Sequence, residues 1–136
     1  MTKAFARFAS RESIESRVLC AAVDRAFLGL VDADLGGGVI KQRLARKGQG
    51  RSGGYRSIVL YRRGNLAIFV HGFAKRDRGN IDRDELLAFR KLASTMLNLD
   101  DDSLSMLAAS GSITEIDCDD QGLQERRYGG GARDRR

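Results

Sequence analysis

Ten basic residues lie between Lys41 and Arg76 (Lys41, Arg43, Arg46, Lys47, Arg51, Arg56, Arg62, Arg63, Lys75 and Arg76), and no acidic residue interrupts them. Cationic side chains crowded along one stretch repel one another until something negative lies against them. For a small basic domain the commonest such partner is nucleic acid. Arginine stays protonated, so it stabilises a phosphate but serves poorly as a base. A lysine surrounded by other cations gives up its proton more readily. The alternative is a solvated face, or residues that pair with acidic segments of the same chain. Two features weigh against it: Lys41 and Arg43 alternate with the apolar Ile40 and Leu44, and ten uncompensated charges exceed what a neutral surface needs.

Other motifs carry less. Gly48-Gln-Gly50-Arg-Ser-Gly53 matches G-x-G-x-x-G. A dinucleotide site also needs a helix after the loop and an acid about 20 residues on. Tyr55-Arg56-Ser57-Ile58-Val59-Leu60 is strand-like instead, and the next acid is Asp77. A basic loop that wraps a phosphate backbone suits these residues better, and no cofactor is expected. His71, the single histidine, sits among Ile68, Phe69, Val70 and Phe73 and reads first as a structural residue. One histidine and two distant cysteines give zinc no ligand set. Asp100-Asp101-Asp102 reads as negative charge at a helix N-terminus, and Asp119-Asp120 as solvated.

The elements that must position the basic zone follow from periodicity. Residues 3–9 leave helix and strand both open. Leu19, Ala22, Val23, Ala26, Phe27 and Leu30 predict a helix over about 13–30, capped by Ser10 or Ser13. Strands are expected over 39–45, 55–62 and 66–73, with a flexible basic loop over 46–54 and a turn at Arg63-Gly64-Asn65. Asp82 and Glu85 form a capping-box pattern ahead of a helix carrying Leu86, Phe89, Ala93 and Leu97. A shorter helix, capped by one of Asp100, Asp101 or Asp102, ends near Gly111, and 112–118 is a candidate last strand. Residues 1–120 are read as one domain, and 121–136, rich in glycine and arginine, as a disordered basic tail.

The chain's 136 residues fit a single core. Charge is zoned. Residues 1–40 hold five charges of each sign, and 77–123 hold eleven acids against four bases. No apolar run approaches the roughly 18 residues of a membrane span, and the opening residues lack a charged-then-apolar leader, so a cytoplasmic protein is expected. Cys20 and Cys118 are accordingly expected to be two idle thiols, although a disulfide is possible.

Ile40-Lys41-Gln42-Arg43, the run Gly48 to Arg56, and the run Gly72 to Ile81 together resemble the RelE/ParE superfamily of bacterial toxins. The closest likeness is to the RelE-type branch that carries a "GQG-SGGYR" loop and a "GFAK…R-NI" motif. The resemblance extends more loosely over residues 3–118. It implies an α+β fold, a small antiparallel sheet with helices packed on one face and a basic groove on the other. It also implies a metal-independent endoribonuclease, an mRNA interferase acting on messenger RNA in the ribosomal decoding site. Its partner would be an antitoxin, expected to be a DNA-binding helix-turn-helix protein. No membrane is implied. Attack of a ribose 2′-oxygen on the adjacent phosphate needs in-line placement, a proton acceptor, a proton donor and positive charge on the transition state.

Carried over by motif, Lys41 is the candidate base with Arg43 beside it, and Arg56 and Arg76 are the phosphate stabilisers. Arg46, Lys47, Arg51 and Arg78 would hold the RNA backbone, with Tyr55 stacking on a base. Some RelE-type members place a catalytic tyrosine a few residues past the Lys-Arg pair. This sequence has Asp77-Arg78-Gly79-Asn80-Ile81 there, so His71 and Lys75 are the candidate leaving-group acids. A ParE-like toxin acting on DNA gyrase without cutting RNA, and an inactive binding module, are the alternatives.

Overall fold

The computed structural model describes residues 1–46, 50–62 and 64–118, with backbone alone for Arg46 and 50–53. Residues 3–9, open between helix and strand in sequence, belong to helix α1 (Lys3–Arg11). Its apolar side buries Phe5, Phe8 and Ala9, and Thr2 caps it by accepting the Phe5 N–H at 3.3 Å. The expected helix over 13–30 is shorter, α2 (Ser16–Phe27). It begins late because Ser13 adopts a left-handed φ of 56° in the turn from α1, and Gly29, at φ 87°, lies just past its end. Neither Ser10 nor Ser13 caps it. Glu15 occupies the N-cap position and makes no side-chain capping bond there.

Four strands follow: β1 (Ala33–Gly36), β2 (Val39–Arg46), β3 (Gly50–Arg62) and β4 (Leu66–Ala74). They form one antiparallel sheet in the order β1-β2-β3-β4. Strand β1 was not expected, since four residues hold too little alternation to announce a strand. Gly36, Gly37 and Gly38 turn the chain from β1 into β2 at φ values of 83°, 65° and 84°, which side chains other than glycine's rarely tolerate. Strand β3 starts at Gly50, inside the stretch expected to be a loop, so part of that basic segment is paired with β2. Residues 47–49, the middle of that expected loop, lie outside the described residues.

Helix α3 (Arg83–Met96) opens with the expected capping box, in which the Glu85 N–H donates to Asp82 Oδ1 and the Asp82 N–H donates to Glu85 Oε1, each at 2.8 Å. Helix α4 (Asp101–Ala109) is capped by Asp100, which accepts the Ser103 N–H at 2.9 Å. Residues 112–118 do not form the expected last strand. Among the described residues only a single bridge joins Ile113 to Thr2, with the Thr114 N–H bonded to the Met1 carbonyl at 2.8 Å. The expected tail over 121–136 lies outside the described residues, as does Asp119-Asp120.

The fold is α+β with a small antiparallel sheet, as expected, but helices lie on both faces. On one face α1 and α2 pack Phe5, Phe8, Leu19 and Val23 against Ile40, Leu44, Tyr55, Val59 and Phe69. On the other, α3 and α4 bring Ala93, Met96 and Leu104 onto Val39, Ile58, Leu60, Leu66 and Ile68. Strand alternation requires two such sets, since neighbouring residues point to opposite faces. Both flanks of the central strands are apolar because both are covered. The closeness of α1 is fixed at Gly72, where a Cβ would stand 2.3 Å from the Phe8 ring.

Gln42 fastens the first face. It is buried on β2, and its amide group donates to the Ala22 carbonyl at 2.9 Å and accepts the Asp32 N–H at 2.7 Å. Cys20 and Cys118, expected to be idle thiols, form a disulfide with a Cα–Cα distance of 6.0 Å. The pairing follows from packing: Cys20 lies on the buried stripe of α2, and the segment after α4 returns to the same core through Ile116 and Cys118.

Candidate nucleic-acid interface

The register of the central strands brings the basic residues into rows. Arg43 of β2 faces Arg56 of β3, which faces Phe73 of β4. One step along, Lys41 faces Ile58, which faces His71. Directly opposed residues in antiparallel strands stand about 5 Å apart, so these side chains form one contiguous patch. They share the face that α3 and α4 cover further along. Arg43 and Arg56 are only partly buried, and this part of the face is the candidate groove.

The segment between β4 and α3 makes the groove's wall. The Arg78 guanidinium carbon lies 5.4 Å from the centre of the Phe73 ring, beside Arg56. Its Nη2 and Nη1 donate to Glu85 Oε1 and Oε2 at 2.5 and 3.2 Å, and its Nε donates to the Asn80 carbonyl at 2.9 Å. The hydrogen bond from Arg78, then that from the Asp82 backbone, holds the Glu85 carboxyl below its ordinary pKa. Asn80 Oδ1 accepts the Ile81 N–H at 2.9 Å and a longer contact from Lys41 Nζ at 3.5 Å. Lys75 and Arg76 are exposed in the turn that leaves β4, and Arg76 Nε lies 3.7 Å from Asp77. The Lys75 N–H bonds to the Gly54 carbonyl at 3.4 Å, which extends the β3–β4 pairing by one residue and carries the alternation from Phe73 to Lys75.

The structure therefore brings Lys41, Arg43, Arg56, Lys75, Arg76 and Arg78 to one end of the sheet. It does not bring Tyr55 there. That ring is buried on the opposite face, edge-on to Phe8 at 5.6 Å, with its hydroxyl 3.0 Å from Glu12. An odd-numbered residue of β3 cannot share the face of Arg56, so the stacking role expected for Tyr55 is withdrawn. Lys47 and the side chains of Arg46 and Arg51 lie outside the described residues.

His71 is on the groove face but turned inward. Its ring packs at 5.8 Å from Phe73 and 5.6 Å from Phe89 of α3, and its Nε2 is enclosed with no hydrogen-bond partner. Burial lowers its pKa from the ordinary 6.5, with Glu85 opposing and Arg78 adding to that effect. The ring is uncharged at neutral pH.

Sequence reasoning missed Asn80, Glu85 as more than a cap, and Phe73 as a platform. The spacing of Arg78 to Glu85 was visible, but which of the acids in 77–123 would turn back to the groove was not. Among the described residues no group of three or more His, Cys, Asp or Glu side chains converges as a metal site. No helix of the described residues is long and apolar enough to cross a membrane.

A four-stranded antiparallel sheet with an arginine-lined, helix-flanked patch at one end is the frame of the candidate site. The chain matches the family described as RelE toxin of RelE/RelB toxin–antitoxin system over residues 1–116, and it belongs to that family. A toxin partnered by an antitoxin follows from that membership. No curated protein and no solved structure matches the chain.

Proposed function

We propose that this toxin is an endoribonuclease that cleaves messenger RNA on the ribosome, with the uncovered end of the sheet as its catalytic groove. The observation that carries this reading is the row Arg43–Arg56–Phe73, topped by Arg78, with Lys41 one step away. Glu85 and Asp77 lie against Arg78 and Arg76, and Lys41, Arg43, Arg56 and Lys75 keep the patch cationic toward a ligand.

In this mechanism Lys41 accepts the proton of the ribose 2′-hydroxyl, with Arg43 beside it. The 2′-oxygen attacks the adjacent phosphorus, and Arg56 and Arg76 stabilise the charge that builds on the phosphoryl oxygens. The bond from phosphorus to the 5′-oxygen breaks, and that oxygen takes a proton from Lys75. Lys75 fills this role in place of His71, whose uncharged ring and enclosed Nε2 suit it poorly as a donor. Arg78, with Arg46, Lys47 and Arg51, holds the RNA backbone. The products are a 2′,3′-cyclic phosphate and a 5′-hydroxyl, and no metal ion takes part.

A RelB-type antitoxin that lays an acidic or helical segment over the groove would neutralise its charge and exclude RNA together. The reading places both proteins in the cytoplasm, with the antitoxin also binding DNA through a helix-turn-helix. The test is incubation of the purified toxin with ribosomes programmed by an end-labelled messenger. Cleavage at codon positions with 5′-hydroxyl products is expected. Intact messenger, with growth arrest in cells, would favour the gyrase-directed alternative.

A further inference from the structure

Glu85 does two things at once. Its Oε1 accepts the Asp82 N–H at 2.8 Å, closing the capping box of α3, and also accepts Arg78 Nη2 at 2.5 Å, while Oε2 takes Arg78 Nη1 at 3.2 Å. A capping glutamate needs only the first of these bonds. The others tie the helix start to an arginine seven residues back, whose Nε is in turn held by the Asn80 carbonyl at 2.9 Å. Three of Arg78's five N–H groups are thereby spent on orientation, leaving one on each terminal nitrogen for a ligand. The guanidinium carbon lies over the ring of Phe73, 5.4 Å from its centre, and Phe73 is the cross-strand neighbour of Arg56.

Stability alone does not account for this arrangement. The two side chains are 37% and 30% exposed, and ion pairs in such settings contribute little to stability. A flexible arginine, by contrast, loses rotamer freedom when it grips a phosphate, and a pre-oriented fork has already lost it.

We propose that Glu85 is a positioning residue that holds Arg78 pre-aimed across the groove, so that one of its two remaining N–H groups meets a phosphate flanking the one at Arg56. This rests on the ribonuclease reading for its catalytic readout, but not for its binding readout. The Asn80 side chain, which takes the Ile81 N–H and reaches Lys41, keeps the same wall in register with β2.

The test is a double-mutant cycle of Glu85→Ala and Arg78→Ala, with Glu85→Gln as the conservative variant. It is read twice: by kcat/KM for messenger cleavage on ribosomes, and by affinity for a short single-stranded RNA made uncleavable with 2′-deoxyribose. Each alanine variant is expected to lose about tenfold or more in both readouts, the range of a single charge-assisted contact. The double variant is expected to lose no more than Arg78→Ala alone. Glu85→Gln, whose single carbonyl oxygen can still accept both the Asp82 N–H and Arg78 Nη2 as Oε1 does, is expected to recover part of the loss. Additive losses, or a Glu85→Ala variant that is less stable but binds and cleaves as the parent does, would overturn the proposal and leave Glu85 a cap. If the parent binds RNA but does not cleave it, the nuclease reading fails and the binding cycle alone decides the role of Glu85. Absence of any RNA binding overturns both.

Discussion

One face of the sheet has two halves that differ only in where they fall along the same strands. Toward Val39, Leu60 and Ile68 the outward positions are apolar and lie under α3 and α4. A few residues along, the equivalent positions are Arg43, Arg56 and Phe73; the two arginines are only partly buried, and Phe73 is buried with Arg78 over its ring. Alternation decides which face a residue joins. The change from apolar to basic along that face decides where the helices stop. A helix laid over Arg43 and Arg56 would bury two charges without partners, which costs far more than the apolar contact returns. The groove is thus the part of a core face that the sequence withholds from the core.

The largest effects should separate these halves cleanly. Arg56→Ala is expected to lower cleavage by about 10²–10³-fold, as loss of one transition-state donor does, with thermal stability unchanged. Leu60→Ala, four residues along the same face and fully buried, should cost about 2–5 kcal/mol of stability while the folded fraction keeps its specific activity. Activity assays paired with denaturant unfolding check both, and a reversal of either result breaks the comparison.

Removal of the Cys20–Cys118 link sharpens it from the opposite face. The bridge spans 98 residues, so the paired Cys20→Ser, Cys118→Ser variant should be less stable by about 3–5 kcal/mol on chain-entropy grounds. RNA affinity of the folded variant should not change, and mass spectrometry of the alkylated, unreduced protein checks the link itself. Gln42→Leu, which leaves the Asp32 N–H without its partner and removes the added bond to the Ala22 carbonyl, should cost about 1–3 kcal/mol by the same unfolding measurement.

The smallest effect lies at the boundary between the halves. Burial lowers the His71 pKa in the folded chain, so below pH 6.5 the unfolded chain takes up a proton there that the folded chain declines. This part of the stability is complete above pH 6.5 and declines as pH falls through the window between that value and the folded pKa. Unfolding curves measured across pH should show a shallower decline in His71→Phe than in the parent, the remainder coming from the Met1 amino group, whose pKa burial lowers from 8.0 to about 5.

Much of this was legible in the sequence. The capping box at Asp82 and Glu85, the strands around Ile40, Ile58 and Ile68, and the basic character of the Lys41–Arg76 stretch all rest on local pattern, which the fold did not override. What was not legible depends on contacts between distant segments. Ser13's left-handed turn delays the start of the helix that periodicity placed over about 13–30. Strand β1 exists because β2 offers it an edge, not because Ala33–Gly36 insists on extension. The disulfide needed the segment after α4 to return to α2. Tyr55 was misassigned because a family motif names residues without their faces, whereas counting by twos from Arg56 already sets the tyrosine on the other side. Glu85 was read as a cap because sequence shows the bond within its own helix and hides the one to Arg78.

The most direct test of the central claim is 5′-end mapping of messenger RNA minutes after induction of this protein, beside an Arg56→Ala, Arg76→Ala double variant. New 5′-hydroxyl ends clustered at codon positions with the parent, and absent with the variant, are the predicted result. Growth arrest without new ends, or ends that persist in the double variant, would contradict a catalytic groove at the uncovered end of the sheet.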